Sequence, residues 1–542
     1  MPVVTLYLHR LEKLVGKANR SKIIEALPFL GLDIEEETKE YVKVEYSPNR
    51  PDYATDVGIA AGLQGLFGIK KGAEKIIIKK SDKYCYIKTE PQVKKIRPHV
   101  CAIVAKRGKL DDEAIKQLIT LQEDLHFGIG RRRKKTSVGI HDLDKLALPL
   151  TYTAVARNHS FVPLGMTEST SVERILANTE VGTTYGRLLH EYDKVPVIVD
   201  AKNNTISLPP IINSALTTVT TKTANLLVEV TGTDKNTTED TLAVVATTLQ
   251  GLGFTLYDFK TDSGVASKIF KTKSMQLDAS LVNQTLGVTM TPAAICNYLK
   301  KSRIDACAST KKILCKIPRF RFDIFGPMDL VEEVALGYGI QNLVPTLPAS
   351  TSVGQKHTIT KRLDHLSQIM IGLGFTEALN SSLTSKRVLY DETKRTGDVI
   401  EVAESKSQEY TILRDSLLPG LLENLSRNIH ESYPQRLFEI GTIFSADSPI
   451  KESISIACVS AHKDTSFTEI KSVLQSLLKT DSNLDSMTKT AEEPMFAKGK
   501  TAHVIIADKR VGTIGQIDSQ VIENFKVRVP VCGFEIVLSE FI

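Results

Sequence analysis

Apolar residues along this chain change period repeatedly, from spacings of three and four to a spacing of two. No apolar run approaches the ~18 uncharged residues that a membrane-spanning helix needs. Short amphipathic helices alternating with short strands over 542 residues imply several packed α+β domains, about three to five at the usual domain size. Lys and Arg total 69 against 63 Asp and Glu, a net charge of +6. That excess is too small to imply nucleic acid by itself, and it argues against an acidic tail or a wholly disordered chain. The seven cysteines, at 85, 101, 296, 307, 315, 458 and 532, include no C-x-x-C pair. They read as buried thiols of a reducing compartment rather than a zinc ribbon or a disulfide framework. The start MPVVTLYLHRLEKL lacks the apolar core of a secretory signal, so a cytoplasmic location is expected.

Four segments are expected. Residues 1–85 form an N-terminal α/β domain. HRLEKLVG and SKIIEALPFLG read as helices and EYVKVEY as a strand. A proline-bracketed turn at Asn49 and Arg50 precedes a helix capped by Asp52 or Thr55. Residues 86–262 are mixed α/β. LDDEAIKQLITLQEDLHFGIG reads as a helix ended by glycine, Asn203-Asn204 as a hairpin turn, and the Thr-rich stretch near 216–233 as strand. Residues 268–345 form a compact unit: helix, turn, helix, then KKILCKIPRFRFDIF as a strand crossing a proline, closed by Asp323. A helix follows, stopped at Gly337 or Gly339. The proline-marked NLVPTLPAS leads to residues 355–542. There a long helix, HTITKRLDHLSQIMIGLGF, opens the domain, strands fall at RLFEIGTIF, ISIACVSA, HVIIAD and VCGFEIVL, and TSFTEIKSVLQSLLK starts a further helix.

Three constellations bear on chemistry. Asp329, Glu332 and Glu333 occupy i, i+3 and i+4, one face of a helix, with Asp323 just before it. Four converging carboxylates suit Mg²⁺, whereas acids in a first turn equally serve capping and the helix dipole. Spacing leaves both open. Arg131, Arg132, Arg133, Lys134 and Lys135 suit a phosphate backbone or a solvated loop, and no aromatic residue interleaves them to support base stacking. Asn213, Ser214, Thr217, Glu229, Thr231, Thr233 and Asp234 form a polar set that can line a pocket or coat a sheet. No cysteine nucleophile or Ser-His-Asp order accompanies it, so hydrolysis there would use a positioned water. His141, in GIHDLD, reads as a structural histidine held by Asp142 or Asp144. P-loop, G-x-G-x-x-G and H-E-x-x-H motifs are absent.

SPNRPDYATDVGIA, RRRKKTSVGIHDLDKL, SLPPIINS…VEVTGTD, IPRFRFDIFGPMDLVEEVALGYG, LRDSLLPGLLENLSRN and RLFEIGTIF occur in this order. Together they resemble the beta subunits of phenylalanyl–tRNA synthetases, of the archaeal and eukaryotic-cytosolic type, over essentially the whole chain.

The resemblance implies a multidomain α+β protein: an editing domain, a small helix–strand metal-associated domain, and a C-terminal antiparallel-sheet core like a degenerate class II synthetase. It implies a heterotetramer of two alpha and two beta chains, with tRNA(Phe) as partner. The alpha chain would activate phenylalanine with ATP and charge the tRNA, so the isolated beta chain would not charge. The motif carry-over makes Asp323, Asp329, Glu332 and Glu333 ligands of a Mg²⁺ shared with the alpha chain. It places Asn213, Thr217, Glu229, Thr231 and Asp234 in a pocket hydrolysing mischarged tyrosyl-tRNA. RLFEIG looks like the motif that carries an ATP-facing Arg and Glu, but the terminal stretch lacks the final arginine motif, so Arg436 and Glu439 are not assigned to catalysis. Editing has a physical reason: an apolar pocket rejects an added hydroxyl only about a hundredfold, whereas a site that requires the hydroxyl discriminates further. A different class of reading is a catalytically inert RNA-binding or scaffold protein.

Overall fold

The computed structural model describes residues 2–262, 264–310, 312–347, 352–482 and 484–540. Part of the NLVPTLPAS connection (348–350) and the last two residues of the 355–542 segment lie outside them. The chain divides into two compact units, Met1–Leu347 and Pro348–Ile542. Among the described residues no helix is long and apolar enough to cross a membrane. The cysteines are unpaired, and all but Cys307 are buried.

The first unit opens with β1 (Val3–Tyr7), α1 (Leu8–Val15), α2 (Arg20–Ala26), β2 (Asp33–Glu37), β3 (Tyr41–Glu45) and α3 (Asp56–Leu66). The strands form an antiparallel sheet in the order β1-β3-β2. Thr55 rather than Asp52 caps α3, accepting from the Gly58 N–H at 3.3 Å, while Asp52 is held by Arg50.

The chain continues through β4 (Ile78–Lys79), β5 (Ile87–Thr89), β6 (His99–Lys106), α4 (Asp112–Phe127), β7 (Thr136–Asp142) and β8 (Leu150–Ala156). A short ladder of β9 (Ser160–Phe161) and β10 (Thr170–Ser171) leads into α5 (Val172–Asn178) and α6 (Glu180–Tyr185). Next come β11 (Lys194–Val199), β12 (Thr205–Leu208), β13 (Ile212–Asn213), β14 (Leu226–Gly232), α7 (Lys235–Gly251) and β15 (Thr255–Asp258). They make two five-stranded sheets, ordered β4-β15-β6-β14-β7 and β13-β12-β11-β8-β5. In β6 both faces are buried: Cys101, Ile103 and Ala105 join the core under α4 and α7. Val100, Ala102 and Val104 face the second sheet. That is why the strand reads as an unbroken apolar run instead of alternating. In β14 Leu226, Val228 and Val230 enter the first of these cores, so Glu229 and Thr231 must stand on the face turned to the second sheet.

The Asn203-Asn204 hairpin is present, with Asn203 left-handed at φ 62° and Asp200 accepting from the Lys202 and Asn204 N–H groups. The Thr-rich stretch is not strand before Leu226. Thr217 and Thr218 donate to the carbonyls of Ser214 and Ala215, and such local bonds favour turns over a ladder.

The remainder of the first unit is a three-stranded sheet, in the order Lys273–Asp278, Lys312–Ile317, Asp305–Ser309, with helices Ala279–Leu286, Pro292–Lys301 and Pro327–Tyr338. The strand expected to cross a proline instead stops at Ile317, because Pro318 has no N–H for the ladder. Asp323 therefore lies in the turns beyond the strand, not at its end. The last helix ends at Gly339, with φ 99°.

The second unit is a seven-stranded sheet, antiparallel except for one edge pair, with helices Thr358–Gly372 and Phe467–Ser482 packed on one face. The expected strands are there, and Lys509–Ile517, whose glycines hide its alternation, is an additional one.

Burial sets the stability cost of truncation. Ile103→Ala, at a fully buried position, is expected to lower stability by about 2–5 kcal/mol in urea unfolding, while Ile77→Ala, 67% exposed, changes it by less than about 0.5 kcal/mol.

Candidate functional site

Glu229 is 2% exposed and lines a cavity of about 200 Å³ at the β7 edge of the two facing sheets. A cavity of about 150 Å³ can hold benzene, so this one is large enough for a phenol ring. Its walls are largely apolar, from Leu164, Val181, Leu208 and Ile211. Polar groups gather at Glu229. Ser207 Oγ donates to Glu229 Oε1 at 3.0 Å and lies 3.3 Å from Asn213 Oδ1. Behind the carboxylate, His141 Nε2 is 3.9 Å from Oε1. His141 Nδ1 meets Thr217 Oγ1 at 2.8 Å. Among the described residues, Glu229 Oε2 and His141 Nε2 are buried without a hydrogen-bond partner, an expensive state for polar atoms unless a ligand or water completes it. Gly139 pairs directly with Glu229 across the ladder. A Cβ there would lie 2.4 Å from Glu229 Oε1 and 2.7 Å from His141 Nε2, so the close approach needs glycine.

Of the expected set, Asn213, Thr217 and Glu229 come together here. Thr231 sits two residues along the same face, fully buried, its Oγ1 bound by Arg97 Nε at 3.0 Å and by Ser137 Oγ at 3.1 Å. Asp234 lies beyond the strand and caps α7, accepting from the Thr237 N–H and hydroxyl at 2.8 and 2.6 Å. Those bonds hold its carboxyl below the usual range. His141 is held by Thr217, not by Asp142 or Asp144. Asp142 is occupied by Thr223 and the Asp144 N–H. Ser207, Gly139 and His141 complete the site. Their sequence signal was period-two spacing of Ser137, Gly139 and His141 on one strand face, but what they face depends on a pairing distant in sequence.

Arg97 underlies this floor. Its guanidinium donates to Thr231 O at 2.8 Å, Ser137 Oγ at 3.1 Å, and the carbonyls of Arg133 and Lys134 at 3.2 and 3.4 Å, besides Thr231 Oγ1. Burial lowers its pKa to about 10. The basic run is thus not a simple solvated loop. Arg131, Arg132 and Arg133 are all left-handed, with φ 50°, 52° and 65°. Arg133 turns inward, donating to Pro210 O and Ile211 O and forking onto Glu123 at 2.8 and 3.0 Å.

The four acidic residues separate. Arg321 forks onto Asp323, at 2.9 Å from Nε and 2.7 Å from Nη2, and also donates to Glu333. Asp329 Oδ2 caps its helix, accepting from the N–H groups of Phe325 and Gly326 at 2.7 and 2.8 Å. Glu332 is exposed and has no partner among the described residues. Burial and then the neighbouring carboxylates of Glu333, Asp329 and Asp323 push its carboxyl up. No three His, Cys, Asp or Glu side chains converge as a metal-ligating group among the described residues. The donors fit a cation only in part: Arg321 already neutralises two, leaving Glu332 and the free oxygen of Asp329.

In the second unit Glu439 is fully buried, bound by Arg414 Nη1 at 2.5 Å and Asn380 Nδ2 at 2.7 Å. Arg436 pairs with Glu469 at 3.1 Å. Both residues are consumed by internal pairs.

Three family models match in order: the B3/4 domain over residues 86–247, the tRNA synthetase B5 domain over 275–340, and the phenylalanyl tRNA synthetase beta chain CLM domain over 343–538. The phenylalanine–tRNA ligase beta subunit of Archaeoglobus fulgidus is 37% identical over 548 residues, spanning 100% of this chain and 99% of the relative. That of Methanocaldococcus jannaschii is 36% identical over 554 residues, spanning 99% and 100%. The crystal structure of an N-terminal fragment of the phenylalanyl-tRNA synthetase beta subunit from Pyrococcus horikoshii is similar with a TM-score of 0.59 at 28% identity, covering 62% of this chain and 99% of the fragment.

Glu123 supplies a test of the floor. Burial raises its pKa, but His126 and Arg133 outweigh that and hold it at about 2. The unfolded value is about 4.3. The stabilisation is therefore complete above the unfolded value and disappears as pH falls towards the folded one. Urea midpoints measured from about pH 5 to about pH 2 should fall less steeply for Arg133→Asn than for the parent chain.

Proposed function

The chain belongs to the phenylalanine–tRNA ligase beta-subunit family, and from that premise we propose that its Glu229 cavity removes tyrosine from mischarged tRNA(Phe) while an alpha subunit performs the charging. As a beta subunit it works in an ATP-dependent aminoacyl-tRNA synthetase, with an alpha subunit and tRNA as partners. The assembly we propose is a cytoplasmic tetramer of two alpha and two beta chains. Residues 1–85 form its N-terminal domain and 86–262 the editing domain. Residues 268–345 form the acidic domain and 355–542 a ligase-like core that does no chemistry.

The observation that carries the editing reading is Glu229 itself, which lines a phenol-sized cavity and keeps one buried oxygen without a hydrogen-bond partner among the described residues. A phenolic hydroxyl entering the cavity donates to Glu229 Oε2 and removes that penalty. Phenylalanine fills the same space and leaves the oxygen unpaired, which is a strong basis for discrimination. Thr217 also donates to Ser214 O, so it accepts from His141 Nδ1–H and leaves Nε2 as a bare acceptor. Ser207 Oγ donates to Glu229 Oε1 and fixes the orientation of that carboxylate. A water adds to the ester carbonyl, the acyl–oxygen bond breaks, the proton given up by the water passes to the departing ribose oxygen, and tyrosine is released as the free acid. Thr231 acts through Arg97, positioning the floor, and Asp234 acts through the helix it caps.

For the acidic cluster, Glu332 and the outer oxygen of Asp329 are the donors left to hold Mg²⁺, with further ligands from the alpha subunit. Asp323 and Glu333 act behind them, fixed by Arg321. The cation would neutralise Glu332 and tie the two subunits together there.

In the assembled complex, Glu229→Ala is expected to slow deacylation of tyrosyl-tRNA(Phe) about a hundredfold, roughly 2.7 kcal/mol, while phenylalanine charging stays within about twofold. An unchanged deacylation rate would remove Glu229 from the site. Glu332→Gln should lower the magnesium retained by the complex in equilibrium dialysis, and an equal content would exclude it as a ligand.

A further inference from the structure

The proline-bracketed turn from Tyr46 to Asp56 grips two domains at once, all within the first compact unit. Toward the acidic helix, Arg50 forks onto Asp52 at 3.0 and 2.8 Å and stacks 3.9 Å from the Tyr53 ring centroid. Its remaining nitrogen, Nη1, stands 3.9 Å from Glu333 Oε1, and Glu333 is held in turn by Arg321. Toward the two-sheet domain, the Tyr46 hydroxyl donates to Asp124 Oδ2, and the Asp56 N–H donates to Gln117 Oε1 at 2.9 Å. Tyr46 and Asp56 are both buried.

We propose that this turn is a positioning element for the Glu229 cavity: it sets α4, one wall of that cavity, from the acidic helix. The proposal rests on the editing reading and adds to it a cause, outside the cavity, for the cavity's shape.

The turn transmits position because it is stiff. Pro48 and Pro51 restrict its backbone. A Cβ on Gly58, in the first turn of α3, would lie 1.6 Å from the Asp52 carbonyl oxygen, so turn and helix are in direct backbone contact. Arg10 Nε adds a bond to Asp56 Oδ2 at 2.8 Å. In α4, Gln117 and Asp124 are spaced by about two turns and share the face that the turn holds. Gln122 and His126 fall about half a turn away and line the cavity. There Gln122 Nε2 donates to Val138 O at 3.1 Å, and the Val138 N–H donates to His126 Nε2 at 2.9 Å. Val138 precedes Gly139 on the strand that also carries His141.

The slack in this chain of contacts is at Arg50. At 3.9 Å its Nη1 is within ion-pair range of Glu333 but beyond a hydrogen bond. A cavity of about 50 Å³ borders Arg50, Tyr53, Arg321 and Glu333, which gives that contact room to tighten or open.

The test uses the chain co-purified with its alpha subunit. Tyr46→Phe removes the bond to Asp124, and Arg50→Gln removes the charge facing Glu333. Each should lower kcat for deacylation of tyrosyl-tRNA(Phe) about three- to tenfold, with KM and phenylalanine charging within about twofold of the parent. The double variant should lie within about twofold of the lower single variant, because both substitutions cut one line of contacts. Unchanged kcat, effects that multiply, or a parallel loss of charging overturns the proposal. Should Arg50→Gln not yield a soluble complex, Arg50→Lys, which keeps the charge and loses the fork, takes its place. As a second measurement, Arg50→Gln should speed amide hydrogen exchange across Gln117–His126 at least about threefold and leave α5 unchanged, although Arg50 touches neither helix. Unchanged exchange in α4, or equal acceleration in both helices, also overturns it. If the parent complex does not deacylate tyrosyl-tRNA(Phe), the editing reading fails, and the exchange measurement alone decides whether the turn positions α4.

Discussion

A buried guanidinium with no carboxylate in hydrogen-bond contact among the described residues holds the candidate pocket in shape. Arg97 spends its donors on backbone carbonyls and hydroxyls of β7, β14 and the arginine loop. Without a hydrogen-bonded counter-ion, such a cation persists only because its N–H groups find acceptors. Its geometry therefore fixes three elements at once. The strand carrying Glu229 is set against its neighbour, and the left-handed loop is set against the strand. Tyr152 of the second sheet adds to this by donating to Arg97 O at 3.0 Å.

The same device recurs with the opposite purpose in two other places. Arg321 inserts between Asp323 and Glu333, and Arg414 seals Glu439 beneath Gly441. In each, a carboxylate lying within a recognisable sequence motif is neutralised from within the chain. The seven-stranded sheet thereby has no free carboxylate at Glu439. On the acidic helix, Glu332 and one oxygen of Asp329 are left without a partner among the described residues. The carboxylate of Glu229 differs from these: no guanidinium pairs with it, and among the described residues one of its buried oxygens has no hydrogen-bond partner.

How much of this was legible in the sequence follows the range of the interactions. The helix ended at Gly128, the Asn203 turn and the placing of Glu229 and Thr231 on one strand face all follow from local pattern. Ser207 and His141 did not announce themselves, because what places them beside Glu229 is the packing of two sheets. Asp234 and Asp329 stand at helix starts, and capping is what they do. Arg321 sits two residues before Asp323 in plain view, but alternation along a turn does not reveal that its side chain reaches Glu333 twelve residues on. The Thr-rich stretch misled because threonine suits strands and local turn bonds alike, and here the turn bonds won.

The most direct measurement of the central claim is a crystal structure of the assembled complex with a non-hydrolysable tyrosyl-adenosine. The account predicts the phenolic oxygen within hydrogen-bonding distance of Glu229, about 2.5–3.0 Å, with the phenylalanyl counterpart leaving the cavity empty under the same conditions. A tyrosyl ring seated away from Glu229, or a phenylalanyl ring bound there equally well, would contradict it.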